Sequence, residues 1–274
     1  MDITYTMQRE MLRRGYSNRT VHSYTHCIKS FMKFYKKDLK YTSKLDIKNF
    51  LDFHIDKGHA GNTLNVNLNA LKFLFEEILN KKLTLKIRYS KVPKTVPVFL
   101  TKEEVKKLFE VTKNEKHKLI LEILYSAGLR VSEVTNLKVS DLEFDRDMGW
   151  IRKGKGNKDR PFIIANLLKN KLISFINNNK LHFDSYLFSG NNNPKYSIRS
   201  IQEIVKKSAK LAKITKNIHP HSLRHSYATH LIENGYDVSS VQSLLGHNSA
   251  ETTMIYVHMA NPQLIKIKSP YDNL

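Results

Sequence analysis

Cysteine is almost missing from this chain: among 274 residues the single thiol is Cys27. No internal disulfide can form, which fits a reducing compartment. Long apolar runs are also missing, and nothing approaches the roughly 20 residues that a membrane-spanning helix needs. Met1-Asp2-Ile3-Thr4 lacks the basic-then-apolar opening of a secretory signal. The expectation is therefore a cytoplasmic protein without a membrane partner. Metal-ligand spacing is missing too. His219, His221 and His225 lie close together, but without the acids or cysteines of a zinc site. Neither a metal nor another cofactor is expected.

Acidic residues are the remaining scarcity, 25 against 46 lysines and arginines, for a net charge of +21 and a pI near 9.8. Such an excess favours a polyanion, and nucleic acid is the leading candidate. Residues 1–95 hold 19 basic and 8 acidic side chains, and the rest holds 27 and 17. Both parts are basic, as a protein gripping DNA from two sides would need. Cys27 sits beside an apolar helical stripe and is read as packing.

The apolar pattern predicts a mainly α protein with two domains. After Ser17, a candidate N-cap, Val21, Tyr24, Ile28, Phe31 and Tyr35 recur at helical steps. A second helix follows Ser43 and stops at Gly58, and a third runs from about 62 to 79. With a shorter helix before Gly15 they make an N-terminal four-helix unit over 1–88, followed by a basic linker over 89–99. Thr101-Lys102-Glu103-Glu104 opens the second domain with a capping box. Helices are expected over 114–127 and 131–138. Trp150-Ile151-Arg152 and Pro161-Phe162-Ile163-Ile164, joined by Gly-Lys-Gly-Asn-Lys, then predict a small β-hairpin. Further helices are expected over 166–178, 197–212, 221–234, 238–245 and 250–259, with 261–274 as a short tail.

Six residues in the second domain carry the chemical signal. His221 and Arg224 follow Pro220, a first-turn proline, so both fall near a helix N-terminus, which favours anions. Arg130 follows Gly128, with Glu133 as a candidate ion-pair partner at i+3. Two arginine forks suit the non-bridging oxygens of a phosphodiester and stay charged throughout a reaction. Lys155, between two glycines at the hairpin tip, can carry a proton to a leaving oxygen. Lys158 and Arg160 are expected to hold DNA backbone phosphates. His247, directly after Gly246, can be aimed at the same phosphate by a chain reversal. Tyr256 offers a hydroxyl nucleophile, weak until a neighbour takes its proton or cations stabilise the phenolate. Together they point to cleavage and rejoining of DNA strands.

The motifs Gly-Leu-Arg130-Val-Ser-Glu133, Gly-Lys155-Gly-Asn-Lys, His221-Ser-Leu-Arg224-His225, Leu-Gly-His247 and Thr-Thr-Met-Ile-Tyr256 stand in this order over roughly 100–260. In them the chain resembles the tyrosine recombinases, the phage integrase family, most closely the Xer-like branch. The resemblance implies that 1–88 is a core-binding domain that contacts DNA and that 100–260 is the catalytic domain. It implies attack by Tyr256 to give a 3′-phosphotyrosyl link, with Arg130 and Arg224 stabilising the transition state. Lys155 would protonate the leaving oxygen, His221 would assist proton transfer, and His247 would hydrogen-bond the phosphate. It further implies a double-stranded recombination site as partner, a homotetramer on two such sites, and a tail passed between protomers. Xer-like resolution of chromosome or plasmid dimers is expected, and integration of a mobile element is the alternative. A type IB topoisomerase and a DNA-binding module without chemistry are the competing classes.

Overall fold

Asp2 opens helix α1 (Ile3–Arg13) by accepting the Thr4 N–H at 2.9 Å, and Ser17 opens α2 (Asn18–Tyr35) by accepting that of Thr20 at 3.2 Å. Ser43 and Asp46 form a reciprocal capping box at the start of α3 (Lys44–Asp56). The long third apolar stripe spans α4 (Gly61–Lys72) and a continuing π-helical segment, Phe73–Ile78. The computed structural model describes residues 2–83, 87–93, 96–152, 154, 159–190, 193–246 and 253–257. It divides into two compact units, Met1–Thr95 and Val96–Leu274.

Phe31 sits at the centre of the first unit, stacked on Tyr35 and edge-on to Phe50 and Phe75 at 5.2 and 5.9 Å. Each buried aromatic of this kind contributes about 2–3 kcal/mol. Cys27 is buried in the same core, as its place beside the stripe suggests.

The second unit is built around α6 (Glu115–Ser126), where Leu119, Ile120, Leu121, Ile123 and Leu124 are all buried. Every residue from Leu119 to Leu124 is buried, so this stretch of the helix lies at the middle of the core. Around it lie α5 (Lys102–Glu110), α7 (Val131–Asn136), α8 (Asn166–Asn178), α9 (Ile198–Leu211), α10 (Pro220–Glu233) and α11 (Val238–Leu245). Residues 253–257 are also helical; the rest of the helix expected over 250–259 lies outside the described residues. Helix α7 ends two residues before the expected 138, because the Lys138 N–H turns to the Asp141 carboxylate and its backbone bridges Tyr186. The expected hairpin is β2 (Met148–Ile151) against β3 (Arg160–Ile163), and β1 (Leu142–Glu143) adds a third antiparallel strand in the order β1-β2-β3. Among the described residues no helix is long and apolar enough to cross a membrane.

Candidate active site

Arg130 is the N-cap of helix α7, and Glu133 holds that position in two ways. One carboxylate oxygen accepts the Arg130 backbone N–H and the other accepts its guanidinium, both at 2.7 Å. The i+3 ion pair foreseen for Arg130 is therefore present, yet it does not turn the arginine away from the other candidates. A second Arg130 nitrogen donates to the Gly246 carbonyl at 3.3 Å.

Arg224 reaches the same turn from α10. It is only 2% exposed and donates to the carbonyls of Gly128 at 2.7 Å and Leu245 at 2.6 Å, with Glu133 at 4.0 Å. Two left-handed glycines make this possible. Gly128 (φ +58°) turns the chain after α6 and presents its carbonyl to Arg224, while Gly246 (φ +61°) closes α11 beside both guanidiniums. Burial, with Arg130 as neighbour, pushes the Arg224 pKa down to about 10. It remains a cation at neutral pH.

Arg160 departs from expectation. Expected beside Lys158 on DNA phosphates, it is 9% exposed and turned inward. Its guanidinium donates to Glu133 at 2.7 Å and to the Leu244 carbonyl at 2.6 Å. The reason is the period of a strand: β3 alternates, so Arg160 shares the inward face with buried Phe162. One buried carboxylate thus holds two arginines, with a third guanidinium at its edge. Burial lowers the Arg160 pKa, and Glu133 opposes that fall.

The nucleophile candidate belongs to the same group. Tyr256 packs against Ala228 and Ile232 of α10 and Val241 and Leu245 of α11, and is 2% exposed. Its Oη lies 2.9 Å from Nδ1 of His225. Burial raises the phenol pKa, while Arg224 and Arg130 pull it back. His221 lies one turn before His225, at 6.5 Å between ring centroids, on the exposed side of α10. Desolvation, His219 and the arginines hold its pKa below the ordinary imidazole value. Lys155, Lys158 and His247 lie outside the described residues.

His225 stands in the His221-Ser-Leu-Arg224-His225 motif without an expected role of its own. Its i+4 distance from His221 and its place next to Arg224 were the available signal. Among the described residues no cluster of three or more His, Cys, Asp or Glu could hold a metal. The arrangement can surround one anion with two guanidiniums and present a hydroxyl beside them.

Residues 98–262 match the profile of the phage integrase family, and residues 4–85 match that of the phage integrase N-terminal SAM-like domain. Tyrosine recombinase XerA of Pyrococcus horikoshii is 37% identical over 254 residues, covering 91% of this chain and 86% of its own. A crystal structure of XerA recombinase aligns over 97% of both chains, at 28% identity and a TM-score of 0.58. The XerH recombinase bound to palindromic difH substrate, a post-cleavage complex, shares the fold at a TM-score of 0.75 and 23% identity, over 94% of this chain and 82% of that one. With matches covering both units and a relative aligned along almost the whole length, the chain belongs to the phage integrase family, on its Xer-like tyrosine recombinase branch.

Proposed function

We propose that this recombinase cuts and rejoins DNA at a specific site by attack of Tyr256 on a backbone phosphate, forming a 3′-phosphotyrosyl link and freeing a 5′ hydroxyl. The observation that carries the reading is the meeting of Arg130 and Arg224 at the Gly246 turn, beside the helix that bears Tyr256. Fixed charge aimed where negative charge develops is the largest single source of stabilisation in phosphoryl transfer. Lys155 protonates the leaving 5′ oxygen, His221 assists proton movement, and His247 hydrogen-bonds the phosphate. Lys158 contacts the DNA backbone. The freed 5′ hydroxyl of a partner strand then attacks the phosphotyrosine, so the bond energy is kept and neither ATP nor a metal is consumed.

The first unit, with its excess of basic residues, serves as a core-binding domain on the same DNA arm. Four protomers assemble on two recombination sites in the cytoplasm, where the reaction resolves chromosome or plasmid dimers, and the tail over 261–274 passes to the neighbouring protomer. A suicide DNA substrate, which traps the cleaved state, tests the central step. The wild-type chain is expected to give a covalent protein–DNA adduct and Tyr256→Phe none. An adduct of undiminished yield in Tyr256→Phe overturns the assignment of the nucleophile.

A further inference from the structure

We infer that His225 is a catalytic residue, the group that takes the proton from the Tyr256 hydroxyl when the tyrosine attacks. This rests on Tyr256 being the nucleophile. Three geometric facts support it. First, Nδ1 of His225 stands 2.9 Å from Oη, within hydrogen-bond reach of the reacting atom. His221, the histidine expected to move protons, lies one helical turn earlier in α10, its ring centroid 6.5 Å from that of His225. Second, Tyr256 is 2% exposed, so an acceptor within the protein stands nearer its proton than bulk water does. Third, the phenol ring is fixed among Ala228, Ile232, Val241 and Leu245, so its hydroxyl is presented to His225 by packing.

The electrostatics suit an acceptor that is empty before DNA arrives. Burial and the facing groups His221, His219 and Arg224 push the His225 pKa down to about 4, so the ring is neutral at pH 7. A phosphodiester between the arginines adds negative charge to a pocket crowded with cations. That charge favours the imidazolium at the moment the proton must be received. In the step, the Oη–H bond breaks and its proton passes to Nδ1 of His225. Oη bonds to phosphorus as the P–O5′ bond breaks, and the departing oxygen takes a proton from Lys155. On rejoining, the attacking 5′ hydroxyl gives its proton to Lys155. The P–Oη bond breaks and His225 returns its proton to Oη.

The test is single-turnover adduct formation on a suicide DNA substrate by the full chain and its variants. His225→Gln and His225→Ala should bind DNA as the wild type does and form adduct about 100-fold more slowly, the usual scale of lost general-base assistance. The defect should persist when sulfur replaces the bridging 5′ oxygen, because that leaving group needs no proton. Lys155→Ala should recover on the same substrate. Adduct formation within threefold of wild type, or recovery of the His225 variants with the sulfur substrate, overturns the inference and leaves Tyr256 as nucleophile. Adduct in Tyr256→Phe would instead remove the parent reading. If the His225 variants do not fold, nitrogen NMR of histidine-labelled wild-type protein decides. An unprotonated Nδ1 with the proton on Nε2 is expected, and a protonated Nδ1, which could only donate to Tyr256, overturns the inference.

Discussion

Glu133 has two carboxylate oxygens and three guanidinium neighbours, Arg130, Arg160 and Arg224, in a buried place. It is the counter-charge that lets three cations stand close together without DNA. Glu133→Gln leaves Arg130 and Arg160 without their charged partner in a site poorly reached by water. Loss of one member of a buried pair costs about 3–5 kcal/mol, so a clear fall in the urea midpoint at pH 7 is expected. A change below about 0.5 kcal/mol, the size of a surface substitution, would mean that solvent screens the pairs after all. At this scale the sequence was partly legible. Glu133 at i+3 from Arg130 announced one ion pair. Its contact with Arg160 was not announced, because 27 residues separate the partners and only the folded sheet brings them together.

Elements set the site through their ends rather than their middles. Helix α10 begins at Pro220 and carries His221, Arg224 and His225 in its first two turns. Helix α11 ends at Gly246, where its last carbonyls receive Arg224, Arg160 and Arg130. Gly246→Ala places a Cβ 2.6 Å from Arg160 Cδ and a side chain on left-handed backbone. The backbone term alone is about 1–2 kcal/mol. Displaced carbonyls would also loosen the guanidiniums, so this variant should lose both stability and adduct formation. Wild-type values for both would show that the turn shifts freely. The same scale explains which elements were readable. Helices α2 and α5 announced themselves through stripes and caps. Strand β3 was legible as a strand, but its inward face depended on where the strand began, and that moved Arg160 from the expected DNA contact to the interior.

Across the whole molecule the charge excess is shared: both units are basic, and each has its own apolar core. Neutralising DNA phosphates releases counterions, so affinity for a recombination site should fall about 10³-fold between 50 and 200 mM salt if six or more phosphates are contacted. Fluorescence anisotropy measures this directly, and a fall below tenfold would mean that most of the basic surface stays solvated. The primary structure determined the helical class, the two-part organisation, the basic character and the identities of the candidate residues. These follow from local periodicity, caps and composition, which need only neighbours along the chain. Tertiary structure decided which side of β3 faces inward, that Glu133 gathers arginines from three separate segments, and that His225 meets Tyr256. Those outcomes depend on residues far apart in sequence meeting at close range, and only the packing of helices and sheet around a common core fixes such meetings.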